Sequence, residues 1–462
     1  MKSLKIRLTA LICSAVTALS LAGCGNNINS SPVKKDQSSS SVTSSVTDKD
    51  ASKASKDSSK SDKDSSKGDK DSSKDDKDSS KSDKDTSSKA DKDSSSKADT
   101  DSSSQKDDPN KPEPSYKASL LCVGDNLIHD NIYLEAEKKS GQKGKYDFSF
   151  AYEHIKDYLK GFDVSIINQE TVVTDTMPAK TFPTFATPKE MAAQVKALGF
   201  NAVSMCNNHV LDAGESGLQR SLQIWDEIGM LHYGAYADQA DFDNIKTMEV
   251  NGIKFAFVGY MEHTNGLKLP EGSKAVVCTL SNEAKVKAQI EKADKIADVV
   301  VVSCHYGTEI SNELNAQQKT LTPKLVEWGA DLIIGTQAHA LSTCEYIDKK
   351  DGTKAFVFYG LGNFLNTMYA KNSLIGLMGE LNVVKDKDTG KISFENVKCI
   401  PVISHFEGET YRGEWRNCQI YPYAKYTDAL FAKNYCIRDG FCRSYVDSIL
   451  KKYVPKQFLS IE

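Results

Sequence analysis

The sequence predicts an α/β domain carried behind a long polar tether, and three observations predict it. The chain has 462 residues with 17 Phe, 19 Tyr and 3 Trp, yet no aromatic residue precedes Tyr116. Beyond that point, short apolar runs ending in polar residues alternate with segments of helical period. The runs lack the in-out alternation of a half-solvated sheet, which marks strands buried on both faces. A core can therefore be built only from residue 116 onward, a length that suits one large domain or one domain with an appendage.

The N-terminus reads as an export signal. Lys2, Lys5 and Arg7 precede an apolar stretch at 8–22, followed by Leu21-Ala22-Gly23-Cys24. A basic start, a short apolar region and small residues before a cut define a secretory signal peptide. The cysteine after the small residues makes it a bacterial lipobox, so residues 1–23 are expected to be removed and Cys24 lipidated. Two or more acyl chains suffice for stable anchoring at the outer face of the cell membrane. Residues 24–115 are nearly all Ser, Lys and Asp. The 18 Asp and 15 Lys between Asp48 and Asp108 almost cancel, so this linker is expected to be a solvated, disordered polyampholyte with nothing to bury. Its typical end-to-end distance would be roughly 50 Å.

The balance of 59 basic against 63 acidic residues, with no basic patch interleaved with aromatics, argues against a nucleic-acid partner. Of the 11 cysteines, Cys13 and Cys24 belong to the signal, and the odd number left cannot all pair. Cys122, Cys206 and Cys304 sit in strand-like runs, where cysteine acts as a small hydrophobe. Cys399, Cys418, Cys436 and Cys442 leave a disulfide open, and the lack of CxxC removes a zinc ribbon.

Strands are expected at 117–125, 163–170, 202–209, 254–260, 298–307, 331–339 and 355–363, with late ones at 374–384 and 392–406. Helices are expected at 151–160, 188–198, 215–228, 281–297 and 321–328. Pro188 and Pro323 suit first helical turns. Gly161, Gly199, Gly229 and Gly329 suit left-handed caps. The domain is bounded at 116–407, and residues 408–462 form a C-terminal extension without clear period.

Ligands of open α/β sheets bind beyond the carboxyl ends of the strands. Those ends read Gly124-Asp125, Asn168-Gln169-Glu170, Asn207-Asn208-His209, His305-Tyr306-Gly307, Gln337-Ala338-His339 and Gly360-Leu361-Gly362-Asn363. Any one of these has a bland explanation as a cap or a surface imidazole; their coincidence is the signal. If the strands lie side by side in one direction, carboxylate, amide and imidazole converge on one rim. That donor set suits a divalent ion: imidazole favours Zn, Fe and Mn, and carboxylates favour harder ions such as Mg.

The ordered motifs GDNLIH, NQET, NNHVLDAG, HYGTE, GADLIIGTQAH and YGLGNF resemble the bacterial capsule-synthesis CapA family, linked to poly-γ-glutamate. The resemblance implies a fold like the calcineurin-like metallophosphoesterases: α/β, two packed mixed β-sheets flanked by helices in a four-layer sandwich. It further implies Asp125 and His339 as ligands of a first metal, Glu170 as the bridging carboxylate, and Asn208 and His305 as ligands of a second. His209 would be the acid that protonates a leaving oxygen, oriented by Asp212. Glu309 would support His305, and Asn363 would hold its loop. Two departures stand out. Asn126-Leu127 replaces the usual x-His after the first aspartate, and Gln337 replaces the first histidine of the last motif. Each metal site is thus one ligand short.

Three functions fit these readings. The first is a lipid-anchored extracytoplasmic protein serving capsule or poly-γ-glutamate synthesis, export or attachment, with an anionic polymer and membrane-bound synthesis proteins as partners. The second is a metal-dependent phosphoesterase or other hydrolase at the cell surface. The third is a non-catalytic polymer-binding module.

Overall fold

Residues Ser115–Ile461 except Arg412 are described by the structure, a computed structural model. The Cys24 motif and the tether up to residue 114 lie outside the described residues. Two mixed sheets make the fold. The first runs in the order Arg416–Pro422, Ile392–Glu407, Ile375–Asp386, Ser115–Asn126, Val164–Asn168, Ala202–Ser204, Leu231–Tyr233, and Asn363–Leu365 adds beside the end of Ser115–Asn126. Its last four strands are mutually parallel, and the other three join antiparallel. The second runs Cys344–Asp348, Lys354–Phe358, Leu332–Gln337, Val299–Tyr306, Ile253–Met261, Lys246–Val250, with four parallel strands between two antiparallel edges.

The apolar runs are buried on both faces because each sheet has two covers. In the second sheet Phe257, Val301, Ile334 and Phe358 join the core shared with Leu120, Ile166 and Met378 of the first. Their neighbours Val258, Val302, Ile333 and Val357 face the other way, against Val286 and Ile290 of helix Glu283–Asp294 and Leu321 and Leu325 of helix Ala316–Glu327. Helices Glu190–Ala197 and Gly214–Glu227 bury Met191, Val195, Leu218 and Trp225 in the first core. Each such side chain contributes roughly 1.5–3 kcal/mol by leaving water. The arrangement is the two-sheet, helix-flanked sandwich that the resemblance implies. No helix of the described residues is long and apolar enough to cross a membrane.

Three local expectations are corrected. The helix expected at 151–160 is two short 3-10 turns, Ser149–Tyr152 and Lys156–Leu159. Tertiary contacts take its side chains: Tyr152 donates to Asn126 Oδ1 at 2.6 Å, and His154 stacks on Tyr421 with ring centroids 4.0 Å apart. Pro323 lies inside a helix, not in its first turn. The helix begins earlier because Asn315 and Gln318 form a reciprocal capping box there. The run at 355–363 splits into Lys354–Phe358 of the second sheet and Asn363–Leu365 of the first, so residues 359–362 carry the chain between sheets. The segment without period after residue 408 supplies the edge strand Arg416–Pro422 and the helix Arg443–Tyr453, which buries Val446 and Leu450 in the main core.

All nine cysteines among the described residues are free thiols. Cys344 Sγ and Cys399 Sγ, buried on strands of different sheets, lie 3.6 Å apart. Closing to a disulfide requires the sulfurs to reach about 2.05 Å. Oxidised glutathione should therefore join this pair before any other. Peptide mapping should find the Cys344–Cys399 cross-link; a link among Cys418, Cys436 and Cys442 instead would contradict the packing.

Candidate functional site

Asp125 is the penultimate residue of the strand Ser115–Asn126, and Glu170 follows Val164–Asn168 by two residues. Asn208 lies in the loop after Ala202–Ser204. His305 is the penultimate residue of Val299–Tyr306, and His339 follows Leu332–Gln337 by two residues. These five strands point their carboxyl ends the same way within their sheets, but they belong to both sheets, three from the first and two from the second. The rim is thus shared by two sheets, whereas strand-end reasoning alone asks for one side-by-side set.

The side chains converge. Ligand atoms of Asp125, Glu170 and His339 lie within 4.8 Å of one another. Glu170 Oε1 stands 3.5 Å from His305 Nε2 and 3.6 Å from His339 Nε2, between the two imidazoles. Asp125 Oδ1 is 3.8 Å from His305 Nδ1, and its Oδ2 is 3.4 Å from His339 Nδ1. Asn208 Oδ1 meets His305 Nε2 at 3.0 Å. Both oxygens of Glu170 are buried without a hydrogen-bond partner among the described residues, an unusual state for a carboxylate. A divalent cation fits that demand: two carboxylates, an amide oxygen and two imidazoles face one small space, with no Lys or Arg in an ion pair there among the described residues.

Surrounding groups fix the ligands. Asn168 donates to Asp125 Oδ1 at 2.7 Å, and the Gln337 backbone N–H donates to Oδ2 at 3.2 Å. Thr336 Oγ1 lies 2.8 Å from His305 Nδ1, and Asn363 Oδ1 lies 3.0 Å from His339 Nδ1. Such partners set the ring tautomer and leave Nε2 toward the centre. Gln337 and His339 both take positive φ, 86° and 51°, a costly backbone choice that the surrounding contacts hold in place. Burial pushes the Asp125 carboxyl up, but His339, His305 and Asn168 outweigh it and hold it below the usual carboxylate range. Burial depresses the His339 imidazole, yet Glu170 and Asp125 prevail and raise it to about 10.

His209 and Asp212 form their own pair beside the centre, Nδ1 to Oδ2 at 2.6 Å. Asp212 also accepts the Phe185 N–H at 2.6 Å. Asn265 lies between the pair and the ligand shell, its Nδ2 3.5 Å from His209 Nδ1, and it accepts from Asn208 Nδ2 at 3.3 Å. Glu309 does not support His305: it accepts from Gln337 Nε2 at 3.2 Å, because the Thr336 hydroxyl already occupies His305 Nδ1. Asn363 does hold its loop, donating to the Ser373 carbonyl at 3.0 Å. Asn126 is turned away into a buried network with Tyr152 and Gln169, and the next position, where the resemblance expects histidine, is the buried Leu127, so neither supplies a ligand.

Asn168, Thr336 and Asn265 were not singled out from sequence. Asn168 carried a signal as a polar residue closing an apolar strand. Thr336 lies within an apolar run, and Asn265 lies far away in a loop. His129 was within reach of the GDNLIH motif. It stands edge-on to Phe185 at 5.5 Å, and Phe185 stands edge-on to His209 at 4.7 Å. Burial and the nearby His339 push its imidazole down to about 3.

The family model described as bacterial capsule synthesis protein PGA_cap matches residues 119–368, more than half of the chain. The chain belongs to that family. The matched span holds Asp125, Glu170, Asn208, His209, Asp212, His305 and His339, and ends just after the YGLGNF crossing. Among individual proteins, this PGA_cap member is 26% identical over 266 residues to the capsule biosynthesis protein CapA of Bacillus anthracis, covering 56% of this chain and 62% of that one. It is 28% identical over 247 residues to the PGA biosynthesis protein CapA of Bacillus subtilis strain 168, covering 53% and 62%. It thus matches less than two thirds of either relative's length. Solved structures similar to it include the NAD nucleotidase of Haemophilus influenzae, at 13% identity and TM-score 0.39 over 74% of this chain and 60% of that one. A putative 5'-nucleotidase from Staphylococcus aureus is similar at 15% identity and TM-score 0.39, over 64% and 56%.

Proposed function

We propose that this PGA_cap protein serves the synthesis, export or attachment of an anionic capsule polymer such as poly-γ-glutamate. In this reading it is held at the outer face of the cell membrane by a lipid on Cys24, beside membrane-bound synthesis proteins, and acts through a divalent-metal centre. Family membership supports the capsule role. The metal centre rests on one observation, the buried Glu170 carboxylate that stands between His305 and His339 with no hydrogen-bond partner among the described residues.

Asp125, Glu170, Asn208, His305 and His339 would hold the ion or ions. When bound, a divalent ion polarises a carbonyl or phosphoryl oxygen and lowers the pKa of a coordinated water. The chain's own contribution is positional. Thr336 and Asn363 orient the imidazoles, and Asn168 holds Asp125. Asp212 fixes His209 through Nδ1, which leaves Nε2 to give a proton to a leaving oxygen or to take one. That pair favours hydrolase or transferase chemistry over simple polymer binding, and a phosphoesterase is the second reading it supports.

The test is complementation of a strain lacking the protein. Glu170→Ala and His305→Ala, singly, should each abolish capsule support while the protein accumulates normally. Cys24→Ala should release the chain from membranes or leave it unprocessed. Full capsule support by either site variant would leave a scaffold role alone, and unchanged acylation of Cys24→Ala would remove the anchor.

A further inference from the structure

Beside the centre lies a cleft of about 730 Å³. His129, Thr367 and Glu309 line the side toward the ligand shell. Leu134, Phe182 and Tyr369 line it too, and they are 54%, 63% and 52% exposed. Large apolar side chains so exposed are few among the described residues, and three of them open onto one cleft. A fourth, Tyr411, packs edge-on against Tyr369 with centroids 4.9 Å apart. Clustering of this kind marks a binding surface. Thr367 also lines the cleft, with a buried hydroxyl that has no hydrogen-bond partner among the described residues.

The charges decide the ligand class. Asp130, Glu309 and Glu414 line the cleft, and none of the three forms an ion pair among the described residues. No Lys or Arg is among the described lining residues. A stretch of polycarboxylate laid here would face three like charges across a partly desolvated space. An ammonium group meets the opposite situation: carboxylates accept charge-assisted hydrogen bonds from it, and aromatic faces attract it.

We propose that the cleft binds a primary ammonium group on an apolar stem, so that an amine-bearing ligand, and not the anionic polymer, occupies this side of the centre. The carboxylates accept the ammonium hydrogens, and Phe182 and Tyr369 cover the stem. The proposal deepens the function proposed above by naming a second ligand class, and rests on that reading only for the role of the neighbouring centre.

The test is calorimetric titration of the full chain, free of metal and then with Mn²⁺. The probes are 1,5-diaminopentane, its di-N-acetyl derivative and γ-linked triglutamate. The diamine should bind both forms, and acetylation should weaken it at least tenfold. Glu414→Gln and Phe182→Ala should each weaken it three- to tenfold with an unchanged melting temperature, and raised salt should weaken it further. Equal affinity for the acetylated probe overturns the proposal, as does absence of diamine binding. Triglutamate that binds the metal-free chain and is lost in Arg412→Gln, beside this wall in sequence, also overturns it. Diamine binding without any Mn²⁺ uptake upholds the cleft while refuting the metal centre; Mn²⁺ uptake without diamine binding does the reverse.

Discussion

Glu170→Gln should leave the metal-free fold intact and remove divalent-metal binding. The reason lies in what Glu170 lacks. Its two oxygens are fully buried, and neither has a hydrogen-bond partner among the described residues. Leaving one buried polar atom unsatisfied costs about 1–3 kcal/mol, and more for a charged group. Only the imidazoles of His305 and His339, at 3.5 and 3.6 Å from Oε1, face its charge. The amide keeps the shape and removes the charge, so the metal-free melting temperature should stay within a few degrees of the parent. Metal at a hundredfold excess over its dissociation constant should stabilise the parent by about 2.7 kcal/mol, and this increment should vanish in the variant. Loss of a ligand set between two imidazoles should weaken affinity about 100-fold or more, beyond what loss of an outer partner typically costs. Thermal shift with Mn²⁺ and Zn²⁺, beside metal content of the purified protein, reads both effects. Full metal content in the variant, or collapse of its metal-free fold, would give Glu170 a structural role instead.

Gly124→Ala should be among the most damaging single changes in the domain. A Cβ on Gly124 would lie 1.8 Å from the Gly362 carbonyl oxygen, far inside any contact a backbone tolerates. That carbonyl accepts the Asp125 N–H at 3.0 Å, and Asp125 sits opposite Asn363 where the two strands pair. The methyl group must therefore force apart the two segments that carry Asp125 and Asn363. Overpacking ordinarily costs about 1–3 kcal/mol, and a clash with the backbone of Leu361 and Gly362 belongs at or above that upper end. Denaturant unfolding should show the loss, and metal binding should fall with it because Asp125 moves. A near-parental midpoint would mean that the crossing at 359–362 yields easily.

Much of the site was legible because of how it is made. Asp125, Glu170, Asn208, His305 and His339 each interrupt or follow a run of apolar residues, and a polar group there is conspicuous. His209 and Asp212 sit three residues apart in one loop, close enough to be paired by eye. The partners that aim these groups were less visible. Thr336 reads as one more residue of a buried strand, and its hydroxyl gains meaning only where the neighbouring strand places His305 Nδ1 at 2.8 Å. Glu309 is two residues beyond Gly307 and near His305 in sequence, yet it turns to Gln337 because that space is already filled.

The sequence by itself determined that residues from 116 onward can build a core, that buried strands alternate with helices, and that acids, amides and imidazoles collect at the strand ends. Those properties are local: hydrophobic period, burial on two faces and residue type depend on neighbours within a few positions. The tertiary structure decided that the rim is shared by two sheets, that the run at 355–363 crosses from one to the other, and that 151–160 gives up helix for the contacts of Tyr152 and His154. It also decided the cleft, whose walls come from five segments spread between His129 and Trp415. Such features depend on which distant residues meet, and that is set by how two sheets bury their shared faces against each other, a property no short window of sequence contains.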